Sequence, residues 1–413
     1  MNILVLHEVD YLKKVVYEVH DIPELLAARG HDVTFIDYEE HWERRHALDF
    51  IRWQTQVVTG AHRAFDGERI ELRRPGLIKL PVLDRLSSVP TQFIEIWRTL
   101  RAKRFDVVFL YSLPTSGLSA IWLAQRAGIP VVFRSIEVLH RIRPFPVSTA
   151  IWLSERLAYP RVDRIVALTP HIKSYVTQLG ARPDKVDVLL PGIDPIRFRR
   201  EPKDAALMGK YGLRPENKVV MFLGTMYEFA GLDHVIANFH RVLSAVPQAR
   251  LLLVGGGGVL EELRRLAVQH GVEKEVVFTG FADYDLLPRL INCGDVTINS
   301  FRDELITRHI FPGKVPQYLA CGKPMVATPL PGVTGILSGE ADGALFRELG
   351  PAFMDGIVEL LTDDARRERL GDNALRYVQD NHRWDRVIDR LEAIFRAEIE
   401  RKRAVSSRRA ATG

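Results

Sequence analysis

The chain has 413 residues, 46% apolar and 26% charged, enough to bury two ordinary domains and incompatible with disorder or collagen-like repeats. No run of 18 apolar residues occurs, since the best stretch, 117–133, is broken by Gln125 and Arg126, and residues 1–10 meet acids too early for a signal peptide. Net charge is +5 and uneven: residues 1–200 hold 29 Lys and Arg against 23 Asp and Glu, while residues 201–413 hold 28 against 29. The expectation is a cytoplasmic protein whose first half meets something anionic, such as the inner face of a membrane or a phosphorylated acceptor. Nucleic acid is disfavoured, because no zinc finger, RNA-binding signature or dense basic repeat is present.

Short apolar, β-branched runs ending in turn residues alternate with helix-period segments throughout, the pattern of parallel strands buried under crossover helices. The fold class is therefore α/β. Strands are expected at 2–6, 32–36, 106–111, 130–133, 164–168 and 186–190 in one doubly wound sheet, and at 219–223, 249–254, 275–278, 295–299 and 324–327 in a second. Residues 1–195 are read as the first domain, the Pro-, Arg- and Asp-rich residues 196–215 as the linker, and 216–383 as the second domain. A helix at about 384–400 is expected to pack back on the first domain, and basic residues 401–413 to be disordered. Ligands of open parallel sheets bind beyond the carboxyl ends of the strands, so the chemistry is expected between the domains, with a hinge near residues 192–194.

In the first half, the strand at 2–6 is followed by His7, Glu8, Val9 and Asp10 rather than G-x-G-x-x-G, which disfavours NAD. His41 and His46 are five apart, off a common helical face, and make no zinc pair. Phe93, Ile96, Trp97 and Leu100 beside Arg98, Arg101, Lys103 and Arg104 form an amphipathic basic segment. It reads either as a core-facing helix flanked by solvated arginines or as a helix resting on an anionic membrane.

In the second half, V-V-M-F-L-G at 219–224 ends a strand on Gly224, with a helical pattern expected through Leu243. Such a turn lets backbone amides approach an anion. L-L-L-V-G-G-G-G at 251–258 offers another phosphate cradle. In P-G-K-V-P-Q-Y-L-A-C-G-K-P-M-V at 312–326 a helix is expected from near Gly313 to Gly322, so that Lys314 and Gln317 share a face suited to a phosphate and to sugar hydroxyls. Asp283-Tyr284-Asp285 resembles a metal-type D-x-D but precedes a helical stretch, where Asp caps free amides. Cys293 and Cys321, the only cysteines, are in no metal-ligand spacing and are expected to be buried and inert.

Taken in order, R-G-H-D-V at 29–33, V-D-R-I-V-A-L-T at 162–169, L-L-P-G-I-D at 189–194 with Phe198, V-V-F-T-G-F at 276–281 and A-C-G-K-P-M-V at 320–326 make the chain resemble the retaining glycosyltransferases of family 4, with the two-Rossmann GT-B fold. The resemblance implies transfer of a sugar from a nucleotide-diphosphate donor, held by the second domain, to a glycan, lipid-linked or small-molecule acceptor held by the first. No metal is implied, and no cofactor beyond the nucleotide-sugar co-substrate. The leaving diphosphate itself takes the acceptor proton, and the protein's task is to neutralise its charge. By position, Gly224 and Thr225 would face the diphosphate, Gly255 and Gly257 would line the donor pocket, Phe281 would lie near the base, and Lys314 would approach phosphates or ribose.

Two departures stand out. The family's Lys-Gly pair is here Ala230-Gly231, and losing one such clamp typically costs about 10²- to 10³-fold in rate, so Arg302, Arg308 or Lys314 must substitute, Lys314 first. The family's paired glutamates are replaced by His309 and Gln317. In the first domain, Glu137 falls at the family's acidic position after the strand at 130–133. With His140 it is a candidate to orient or deprotonate the acceptor hydroxyl, or else a cap or surface pair. Alternatives are an epimerase of the same fold and a non-catalytic nucleotide-sugar-binding module.

Overall fold

A computed structural model describes the chain except residues 41, 43–48, 68–69, 112, 143–144 and 413. His41 and His46 lie outside the described residues. The chain forms two compact units, Met1–Leu189 with Asp385–Gly413, and Leu190–Trp384.

The strands of the first unit are β1 (Asn2–Leu6), β2 (Asp32–Ile36), β3 (Ile51–Arg52), β4 (Gln56–Ala61), β5 (Ile70–Arg74), β6 (Leu77–Ile78), β7 (Val107–Leu110), β8 (Val131–Ser135), β9 (Arg164–Ala167) and β10 (Val186–Val188). Eight of them form one sheet in the order β10-β9-β8-β7-β1-β2-β5-β4, parallel except where β4 returns antiparallel along β5. β3 and β6 pair separately. Strands β3, β4 and β6 escape the sequence pattern because they lie at the sheet edge or outside it, and β5, paired between β2 and β4, escapes it because Glu71, Arg73 and Arg74 interrupt its apolar run. β4, mostly solvent-facing, carries no continuous apolar run.

Helix Trp384–Thr412 belongs to this unit apart from its first residue: Ile388, Leu391 and Phe395 are buried, and the Phe395 ring meets that of Phe109 edge-on at 5.2 Å. The expected disorder of 401–413 is corrected, because the helix runs on to Thr412, and Arg401 and Lys402 reach Asp163 at 3.2 and 2.9 Å.

The second unit holds β11 (Lys218–Leu223), β12 (Ala249–Val254), β13 (Val276–Gly280), β14 (Val296–Asn299), β15 (Met325–Ala327) and β16 (Ala344–Phe346), all parallel, in the order β13-β12-β11-β14-β15-β16. β16, three residues long, is too short to signal itself in sequence. Residues 196–215 are not a free linker. Phe198, Leu207, Met208 and Leu213 are buried in this unit's core with Met221 and Leu252, and helix Ala205–Lys210 is capped by the Asp204 carboxylate, which accepts from Leu207 N–H at 2.9 Å. Four anchors at irregular spacing are invisible to a periodicity argument. The helix expected after β11 is also corrected: a 3-10 turn, Glu228–Ala230, precedes two short helices, Leu232–Ala237 and Phe239–Ala245, broken at Asn238.

Both sheets reverse strand order at their centre, between β1 and β7 and between β11 and β14. Crevices beyond the carboxyl ends of strands at such reversals are where doubly wound sheets bind ligands.

Candidate functional site

In the second unit, β11 pairs with β14 only at Val220 and Met221, so the two strands separate towards their carboxyl ends. The Tyr318 hydroxyl takes the place of a ladder partner, accepting from Leu223 N–H at 2.6 Å. Beside it the Asn299 side chain, fully buried at the end of β14, has neither its Oδ1 nor its Nδ2 satisfied among the described residues.

One turn before Tyr318 stands Lys314, at the first position of helix Lys314–Ala320. It is 8% exposed, and its Nζ lies 3.8 Å from the centroid of Phe222 and 4.3 Å from that of Phe301. Both rings flank the strand reversal. No carboxylate pairs with Lys314 among the described residues. Burial alone drives its amine well below the usual lysine range. Buried charges are ordinarily paired, and this amine is flanked only by aromatic faces.

The glycine turns take their shape from each other. Gly224, at φ 137°, closes β11 and leaves its Cβ position open, with no atom nearer than 3.9 Å. A Cβ on Gly255 would sit 2.1 Å from the Gly224 carbonyl oxygen, and one on Gly257 would sit 2.4 Å from that of Met226. Met226 N–H donates to the Gly256 carbonyl at 2.8 Å. Gly255 and Gly257 thus let two loops touch, a structural demand that the sequence reading assigned to the donor. Thr225 is half-buried in the same turn, and Phe281, 72% exposed, lies against Gly256.

Two of the three substitute cations are already engaged. Arg302 pairs with Asp233, and Arg308 forks onto Asp303 at 2.5 and 2.9 Å in solvent. Ala230, where the Lys of the Lys-Gly pair was expected, is fully buried in the core, its carbonyl accepting from Ser300 Oγ at 2.7 Å. His309 is half-buried on the 3-10 turn Thr307–His309, and Gln317 is half-buried one turn from Lys314. Asp283 precedes a 3-10 turn without capping it by its side chain, which corrects that expectation. Cys293 and Cys321 are buried free thiols, burial pushing Cys321 up to about 12.

In the first unit, the carboxyl ends of the central strands carry a polar cluster that sequence reasoning named only in part. His7 follows β1 and Tyr111 follows β7, their rings stacked at 5.4 Å. The buried Tyr111 hydroxyl has no partner among the described residues. Arg134, fully buried near the end of β8, forks onto Glu18 with two bonds of 2.8 Å and donates to the Leu189 carbonyl at 2.7 Å. The signal for it was a lone Arg inside the apolar run of β8. Glu137 is half-buried just beyond that strand, and burial first, with the Glu137 charge second, holds the Tyr17 hydroxyl protonated. His140 turns its Nδ1 to Glu155 Oε2 at 2.9 Å and to the Tyr175 hydroxyl at 2.8 Å, so a fully buried carboxylate orients the ring.

Two Rossmann-type parallel-sheet units define the GT-B class of fold. A model described as glycosyl transferase 4-like domain matches residues 15–192, and one described as glycosyl transferases group 1 matches 217–363. The chain belongs to glycosyltransferase family 4. It is 26% identical over 233 residues to an uncharacterised glycosyltransferase of Methanocaldococcus jannaschii, covering 56% of each chain. It is 27% identical over 307 residues to a D-inositol 3-phosphate glycosyltransferase of Acidothermus cellulolyticus, covering 70% of this chain and 66% of that one. The chain thus spans between about half and two thirds of the length of these relatives. The Anabaena protein HepE, solved with UDP, shares the fold with a TM-score of 0.73 at 17% identity, over 96% of this chain and 100% of that one.

Proposed function

We propose that the chain is a retaining glycosyltransferase whose nucleotide-diphosphate-sugar donor binds beyond the carboxyl ends of β11 and β14. The observation that carries this reading is Lys314, a buried amine without a carboxylate, facing two aromatic rings at the strand reversal of the second unit. A diphosphate arriving there would restore the proton that burial disfavours and gain a desolvated cation. Thr225 would add a main-chain N–H group, the Gly224 N–H being taken by the Val254 carbonyl at 3.0 Å while its missing side chain keeps the turn open, and Phe281 would offer a stacking face for the base and Gln317 a neutral partner for hydroxyls. As the sugar–phosphate bond breaks, Lys314 would meet the growing charge on the leaving oxygen, which itself takes the acceptor proton. This reading calls for no metal or further cofactor.

A neighbour of the same fold solved in complex with UDP supports a nucleoside-diphosphate donor, and a relative named for an inositol phosphate supports a hydroxyl-bearing acceptor. Acceptor handling is assigned to the first unit, with Glu137 orienting the hydroxyl and His140, steadied by Glu155, beside it. Peripheral contact with an anionic membrane belongs to the same reading. It is supported by Phe93 and Trp97, exposed on helix Leu83–Ala102 near Arg98 and Arg101. No helix among the described residues is long and apolar enough to cross a membrane.

The test is a thermal-shift screen against nucleoside diphosphates and their sugars, followed by Lys314→Ala. The variant should bind the selected nucleotide about 10²-fold more weakly. Unchanged affinity would remove Lys314 from the site, and no shift with any nucleotide would remove the reading.

A further inference from the structure

Helices Leu83–Ala102 and Gly117–Arg126 lie side by side on the first unit and leave a groove of about 580 Å³ between them and residues 113–115. That volume falls within the about 300–1,000 Å³ usual for small-molecule sites. Its walls are Val89, Phe93, Ile94, Leu113, Pro114 and Leu118. Four of these, Val89, Phe93, Ile94 and Leu118, are 36–48% exposed, an open apolar surface of the kind that marks an interaction site.

The groove offers almost nothing to a polar ligand. Its two hydroxyls are already committed, Thr115 Oγ1 to Glu8 at 2.6 Å and Ser119 Oγ to the Ser116 carbonyl at 2.7 Å. A peptide would bury backbone N–H and C=O groups there without partners, whereas a hydrocarbon chain needs none. The flanks suit an amphiphile. Arg101 lies over Trp97 at 4.5 Å and Arg126 over Trp122 at 4.2 Å, so each side presents an aromatic body with a cationic tip. Neither Arg98 nor Arg101 has a carboxylate partner among the described residues, leaving positive charge beside the groove to complement anionic lipid headgroups.

The groove also has a direction. Thr115 lines it, and the Thr115 and Ser116 N–H groups donate to Glu8 at 2.6 and 3.0 Å, so its inner end reaches the carboxyl edge of β1 and β7, where His7 and Tyr111 stack.

We propose that this groove seats a single hydrocarbon chain, the acyl or prenyl tail of a lipid-linked acceptor, with the acceptor's polar head at the carboxyl edge of β1 and β7. The inference rests on the glycosyltransferase reading and narrows its acceptor to an amphiphile.

The probes are a dodecyl and a butyl glycoside, each carrying a diazirine on the alkyl chain, photolysed with the full chain and mapped by peptide mass spectrometry. The dodecyl probe is expected to label residues 89–94 and 113–119 at least about tenfold more than the butyl probe. Leu118→Arg and, separately, Ile94→Asp, both at exposed positions that tolerate polar groups, should abolish that labelling while the nucleotide thermal shift stays unchanged. Equal labelling by both probes, or labelling scattered over the surface, would overturn the proposal. So would a dimer in light scattering that Leu118→Arg splits, since a second copy would then be the occupant. Binding to phosphatidylglycerol vesicles without dodecyl labelling of the groove would also overturn it, reducing the patch to a flat membrane contact. A lost nucleotide shift in the unmodified chain marks failure of the glycosyltransferase reading, whereas a retained shift with unlabelled groove marks failure of this inference alone.

Discussion

At the scale of single residues, the donor-site role proposed for Lys314 sets function against stability. A buried amine that lacks a counter-charge is desolvated in the free protein, and a hydrophobic side chain of similar length would fill the same space between Phe222 and Phe301 without that cost. Lys314→Met is therefore expected to raise the melting temperature while weakening nucleotide binding about 10²-fold, a pair of opposite shifts that a purely structural lysine would not produce. Proton linkage gives a second signature. Because burial holds the amine well below its ordinary range, nucleotide binding should be accompanied by proton uptake, seen in calorimetry as a dependence on buffer ionisation enthalpy that Lys314→Met abolishes. The glycines divide by the same logic. Gly255→Ala drives a Cβ into the Gly224 carbonyl and should destabilise the second unit by about 1–3 kcal/mol, whereas Gly313→Ala, with φ −58° and nothing within 4 Å, should leave urea unfolding unchanged.

At the scale of elements, the segment joining β1 to helix Glu18–Ala28 is fixed by two neutral histidines. Nδ1 of His7 accepts from Glu8 N–H at 3.0 Å, and its Nε2 meets the Tyr17 hydroxyl at 3.1 Å. In His20, Nδ1 accepts from Tyr17 N–H at 3.3 Å while Nε2 faces the Tyr11 carbonyl at 2.9 Å. A proton on either Nδ1 would destroy an acceptor. Burial accordingly lowers His7 to about 3 and His20 to about 4 from an ordinary 6.5. Both rings gain protons on unfolding, so their contribution is complete above pH 6.5 and is lost as the pH falls towards those lowered values. The unfolding free energy of the full chain, from urea titrations, should decline between pH 6.5 and 4, by on the order of 3 kcal/mol for His20 alone, and His20→Gln should flatten that slope. A slope unchanged in His20→Gln would assign the acid sensitivity elsewhere.

At the scale of the whole molecule, each unit has its own core, and the chain ends by returning to the unit in which it began. Phe395, fully buried against Phe109, ties helix Trp384–Thr412 to the first sheet. Phe395→Ala should cost about 3–5 kcal/mol and accelerate hydrogen exchange in β1, β7 and β8, with the nucleotide thermal shift of the second unit preserved. Faster exchange in β11 and β12 instead would place the loss in the wrong unit.

The amino-acid sequence by itself determined the parallel α/β architecture, because strands buried on both faces must be continuously apolar, as in β1, β7 to β9, β11 and β12, whatever they pair with. It also placed the turn glycines, which follow strand ends that the pattern makes visible, and set Lys314 at the start of a helix that its Pro-Gly opening announces. Tertiary structure alone decided what those residues do. Arg302 is withdrawn by Asp233, 69 positions away, Gly255 answers to a carbonyl on another loop, and Lys314 acquires its unpaired burial only once Phe222 and Phe301 close over it. Edge strands, the anchored residues 196–215 and the apolar groove were silent for a related reason: burial and charge pairing between distant positions are properties of contacts, and a one-dimensional pattern records only each residue's own periodicity.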